Sequence, residues 1–164
     1  MSEAMDKFDL FVIARALHIL GVVVWIGGVS FVTLVLIPAI KRVESNQGKM
    51  QLFEHLEGRF AFQAKIATLV TVFSGVYMLE YLHCWDRYLH LQFWWMHLMT
   101  FVWFVFSMVL FVLEPLFLHE WFRKHATKDV DGTFRLVHRM HIILLSLSVI
   151  AIVGAMAGSH GLSF

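Results

Sequence analysis

Ten histidines stand against 13 lysines and arginines in this 164-residue chain, and two of them sit where chemistry would need them. His18 and His97 each fall inside a long apolar run, at comparable depth from the same side once the runs are read as antiparallel helices. One imidazole from each of two helices is what six-coordinate haem iron requires, and bundle cores commonly hold such cofactors. Gly21, Trp25 and Gly28 follow His18 at helical spacing. The glycines would let a flat macrocycle approach the helix, and the tryptophan would pack on its edge. Arg15, one turn before His18, would meet a propionate through a charge-assisted contact.

Plainer readings compete. Small residues at helical spacing also serve helix packing, an arginine can snorkel to the headgroups, and a histidine can bond a backbone carbonyl. Ionisable groups inside a bilayer are costly, however, and their default reading is functional. Axial ligation by His18 and His97 is therefore the expectation.

A second group lies toward the other side: His55, Lys65, and the pair His138 and His141, three residues apart on one helix face. His55 with His138 or His141 would hold a second haem, and Lys65 would pair with Glu114 or a propionate. His119 and His125 close the same end. A third group, His83, Cys84, Asp86 and His90, offers the thiolate and imidazole that suit copper or zinc, with Met96, Met99 and Met156 as soft ligands. It has no diagnostic spacing. Cys84 is the one cysteine, which excludes an internal disulfide. Phosphate loops, nucleophile elbows and zinc-protease motifs are absent from the sequence.

The elements that must position these residues follow from composition. The chain is 59% apolar and 15% charged, with a mean hydropathy of +0.72; a soluble domain is roughly 45–50% apolar and about 25% charged. A soluble enzyme, a disordered chain and a nucleic-acid binder are excluded, and a net charge of +1 offers a polyanion nothing. Four apolar runs, at about 10–40, 60–82, 93–118 and 134–158, reach or approach the roughly 20 residues a helix needs to cross a bilayer. The expected fold is an all-α integral membrane four-helix bundle in a single domain, 1–164. Asp131-Gly132 reads as a turn with Thr133 as the cap of the last helix, and the second helix should extend beyond the lipid. Glu3, Asp6 and Asp9 ahead of an over-long apolar run argue against a cleaved signal.

Charge sets the orientation. Lys41, Arg42, Lys49 and Arg59 lie between the first two runs, and Arg123, Lys124, Lys128, Arg135 and Arg139 between the last two. The opposite side has Lys7, Arg15 and Arg87. By the positive-inside rule both termini face out, with a bacterial cytoplasmic membrane as the expected location.

The run Arg15-Ala16-Leu17-His18-Ile19-Leu20-Gly21 through Trp25-Ile26-Gly27-Gly28 resembles the first-helix signature of two families, the HemJ-type protoporphyrinogen IX oxidases and the copper-resistance protein D domain. Glu57, Arg59, Gly75, Trp95-Met96-His97 and Phe134-Arg135-Leu136 echo the HemJ type in order along the chain. The resemblance implies a four-helix b-haem protein with His18 as ligand and His97 at the helix-three position. Three departures stand against it: Val32-Thr33-Leu34 where the HemJ type has Leu-Pro-Arg, Met99 for a lysine, and His138-Arg139-Met140-His141 for Asn-Glu-x-Pro. The oxidase activity is therefore not carried over. The leading expectation is a haem b cytochrome with one haem or two, exchanging electrons with an unknown donor and acceptor such as a quinone. Copper handling and tetrapyrrole oxidation are the alternatives. Four helices make a thin wall around a porphyrin, which favours a homodimer in membrane lipid.

Overall fold

The computed structural model describes residues 2–118, 120, 124, 125 and 129–161. Helix α1 (Ser2–Phe31) passes through a π-helical stretch, Val32–Leu36, into α2 (Ile37–Lys41). Helix α3 covers Asn46–Tyr81. Two short 3₁₀ turns, Trp85–Leu89 and Leu91–Phe93, lead into α4 (Trp94–Met108), which continues as a second π-helical stretch, Val109–Leu118. Helix α5 covers Val130–Ser159. Among the described residues no strand occurs, and four helices are long and apolar enough to cross a membrane: Asp6–Lys41, Asn46–Tyr81, Leu91–Leu116 and Val130–Ser159. These are the first to fourth spans below. The expectations on His119, Arg123 and Lys128 lie outside the described residues.

Both π stretches have a proline at hand. The Ile37 N–H reaches back five residues to Val32 O. Pro38, next in line, has no N–H with which to continue that pattern to Thr33 O. Pro115 sits inside the second stretch. A π segment turns side chains to faces that an α-helix would not give them, and such segments recur at functional sites.

Two helix starts are set by side-chain caps, and one of them differs from the sequence reading. Ser45 caps α3 by accepting the Gly48 N–H at 3.0 Å. Asp129, and not Thr133, caps α5 by accepting the Gly132 N–H at 2.8 Å, so Asp131-Gly132 is the first turn of the helix and no separate turn. A Cβ at Gly132 would overlap the Asp129 carboxylate; the glycine keeps the capping geometry open. The second helix begins at Asn46, well ahead of residue 60, in line with its expected extension.

The first span packs most closely on the second and the third on the fourth; the first also meets the fourth, largely through Val32–Lys41, while the second and third meet sparsely. Small residues bring each pair together. A Cβ at Gly21 would stand 2.6 Å from Thr71 Oγ1. On the fourth span, Gly154 and Gly158 lie under Trp94 and Trp95, so closely that a Cβ at Gly158 would overlap the Trp95 ring. Leu20, Val23, Phe62, Phe73 and Val153 point outward, as lipid requires. Inside, Trp25, Val29, Ala67, Val102 and Phe106 form one core cluster. A second, of Leu36, Ile37, Ile40 and Phe134, fills the end where residues 42–45 join the first span to the second and the fourth span begins. That end is fastened by Lys49 on Asp131 at 2.7 Å.

Candidate functional site: a cavity between the helix pairs

Between the pairs lies a cavity of about 600 Å³, within the range of small-molecule and cofactor sites. Trp25, Gly28 and Val32 wall it from the first span, Glu54, Glu57 and Ala61 from the second. Phe106, Val109 and Glu114 complete it from the third, and Val137, His141 and Leu144 from the fourth. Both π stretches border it, and the second carries Glu114 into the wall.

Four features give this cavity chemical character. The first is His141, whose Nδ1–H donates to Val137 O at 2.9 Å. That bond places the proton on Nδ1 and leaves the Nε2 lone pair with no protein partner among the described residues, the arrangement of a metal-binding imidazole. The second is Trp25, 5% exposed, set edge-on to Phe106 with ring centroids 5.1 Å apart. Its indole N–H has no partner among the described residues. The third is Gly28, where an added Cβ would meet nothing within 4 Å. The fourth is the ion pair of Lys65 Nζ with Glu114 Oε2 at 2.8 Å, with side chains 29% and 14% exposed. Lys65 thus takes the Glu114 partner expected of it.

The remaining candidates go elsewhere. His18 turns to the second span: its Nδ1–H donates to Thr71 O at 2.9 Å, Ser74 Oγ lies 3.3 Å away, and the ring rests on Gly75. His97 turns to its own loop, with Nε2 3.0 Å from Tyr88 O and Nδ1 3.3 Å from Phe93 O. The two rings share no partner, and neither lines the cavity. Gly21 serves helix packing, and Arg15 is exposed on α1 away from the cavity. His55 is also exposed and off the cavity wall.

His138 has both nitrogens engaged. Lys41 Nζ donates to Nδ1 at 2.9 Å and Nε2–H donates to Thr33 O at 2.9 Å. The ring therefore clamps the first span to the fourth, a role that sequence reasoning missed; Pro38, which leaves Thr33 O without its helical donor, was the available signal. The missed cavity residues Glu54 and Glu57 carry a signal too, since three residues apart they share a face.

In the connection between the second and third spans, Cys84 is buried and its thiol donates to Leu82 O at 3.2 Å, while His83 and His90 are exposed. Among the described residues no three of His, Cys, Asp and Glu form a group that would hold a metal ion. Compared with known proteins, the chain matches no family model, no curated protein and no solved structure.

Proposed function

We propose that this chain is a haem b-binding redox protein of the bacterial cytoplasmic membrane, both termini outward, with the macrocycle in the cavity between the helix pairs. The observation that carries the reading is the free Nε2 of His141 on the cavity wall. The donor set among the described residues fits one axial imidazole and not two, because no second histidine of theirs lines the cavity. Haem, when bound, supplies one-electron chemistry at iron. Every other contribution comes from the chain. Val137 O fixes the tautomer of His141, Gly28 leaves room for a flat ring, and Trp25 with Phe106 keeps water from the inner wall. The indole N–H of Trp25 offers a donor to an acceptor on the ligand. Electron transfer with a membrane donor or acceptor is the role that suits such a site.

A second placement has one observation in its favour. The Nδ1–H of His18 is fixed by Thr71 O as that of His141 is by Val137 O, so His18 also presents Nε2 as a ligand, provided the first and second spans part at Gly75.

The test is an absorption spectrum of the purified protein, oxidised and then dithionite-reduced, with a pyridine haemochrome assay. The reading expects one haem per chain, lost in His141→Ala and kept in His18→Ala. The reverse pattern moves the haem to His18. A spectrum without a Soret band overturns both placements.

A further inference from the structure

Glu114 and Lys65 place a carboxylate and an ammonium within the third and second spans, 2.8 Å apart, where those two spans otherwise meet sparsely. Ionisable groups within membrane-spanning segments are costly, and their default reading is functional, ion and proton pathways among the functions. Replacing a buried ion pair by well-packed apolar residues is often neutral or stabilising, so pinning two helices does not call for one. Glu114 is moreover turned into the cavity by a π stretch one residue before Pro115, on the same cavity wall as His141 and the unpartnered, buried indole N–H of Trp25. Glu54 and Glu57 line the same cavity on the second span, nearer the connection end, where residues 42–45 join the first two spans. Carboxylates thus border the cavity both at that end and at the pair.

From this juxtaposition we infer that Glu114 is a proton-loading site for the cavity, with Lys65 as the counter-charge that holds its empty state. The inference rests on the redox reading above for its purpose, but not for its chemistry. An electron entering the cavity from a one-electron donor adds one negative charge there. A proton from water at the connection end then binds a carboxylate oxygen of Glu114, turning –COO⁻ into –COOH. The net charge of cavity and pair is unchanged: one electron in, one proton in, with Lys65 keeping its positive charge. When the electron leaves to an acceptor, the proton returns to water and the ion pair closes again. Among the described residues, Lys65 pairs with Glu114, and the titratable groups that line the cavity beside it are Glu54 and Glu57 from the second span and His141 from the fourth. The first span adds no titratable side chain to the cavity wall.

Two measurements test it. The first needs neither haem nor a variant: wild-type protein in lipid is treated with dicyclohexylcarbodiimide, which attacks protonated carboxyls in water-poor surroundings, and the adduct is mapped by mass spectrometry. The inference expects an adduct on Glu114 that increases as pH falls. Labelling of other carboxyls with Glu114 untouched overturns it. The second measurement is the midpoint potential of the haem protein against pH. One proton per electron lowers the potential by about 59 mV for each tenfold fall in proton concentration, over at least one stretch of the titration. The slope should vanish in Glu114→Gln and return in Glu114→Asp. A flat wild-type curve, or a slope untouched by Glu114→Gln, overturns the coupling even if the haem is present. Absence of haem is reported by the spectrum itself, so failure of the redox reading is separable, and the labelling result still decides whether Glu114 carries a proton.

Discussion

Lys41 and His138 meet nitrogen to nitrogen at 2.9 Å, and that contact fixes the state of the ring. An ammonium can only donate, so Nδ1 of His138 must accept and the proton must sit on Nε2, where it reaches Thr33 O. A side chain with both nitrogens spent this way is a structural clamp. Replacing it with alanine leaves a part-buried carbonyl and an ammonium without their partner, which costs about 1–3 kcal/mol. His138→Ala should therefore lower the melting temperature in detergent while the haem content per folded chain stays as in the wild type. His138→Gln, with a donor and an acceptor of its own, should recover part of the loss.

The clamp depends on a carbonyl that the helix itself cannot satisfy. Pro38→Ala would restore an N–H in reach of Thr33 O and put the backbone in competition with His138. The two sites should then be energetically coupled: in a double-mutant cycle of Pro38→Ala with His138→Ala, the interaction energy should fall in the range of about 0.5–3 kcal/mol found for residues that share a partner. Denaturant unfolding of the four proteins measures it. Additive losses would mean that Thr33 O is satisfied without His138.

These two residues also show how far the sequence could be read. Four apolar runs reveal four spans, because lipid leaves the backbone of a single-span segment no alternative to the helix. The Lys65–Glu114 pair was likewise legible, since two opposite charges inside neighbouring spans have few other partners. The directions in which His18 and His97 point were not. Depth along a helix follows from counting residues, but the direction in which a side chain points is set by how each helix rolls against its neighbour. Gly21 on Thr71 rolls His18 toward the second span, and the 3₁₀ turn that brings Tyr88 O to His97 draws that ring into the loop. The start of α5 failed for a local reason: Asp129 and Thr133 are both good caps, and only the space at Gly132 decides between them.

His97 itself then becomes a loop fastener. Its ring lies edge-on to Tyr88 with centroids 5.5 Å apart, and Tyr88 in turn hydrogen-bonds Thr100 across 2.8 Å. His97→Ala should loosen the 85–93 connection without touching the cavity. Hydrogen–deuterium exchange should rise in that segment, and the haem content should remain that of the wild type. Loss of haem in His97→Ala would instead restore His97 as a ligand.

Glycine positions separate packing from clearance most sharply. At Gly21 and Gly154 an alanine methyl would stand 2.6 Å from Thr71 Oγ1 and 2.5 Å from the Trp94 ring. Overpacking of this kind costs about 1–3 kcal/mol, which outweighs the roughly 0.8–1.0 kcal/mol that alanine gains over glycine in a helix. Gly21→Ala and Gly154→Ala should both melt at lower temperature than the wild type. At Gly28 the space is open, so Gly28→Ala keeps the propensity gain and should melt slightly higher. Its methyl enters the cavity, however, and Gly28→Leu fills far more of it. Haem per chain should therefore fall from wild type through Gly28→Ala to Gly28→Leu while the fold holds. A melting temperature that falls along the same series would mean that Gly28 packs against protein and that the cavity is not where the ligand binds.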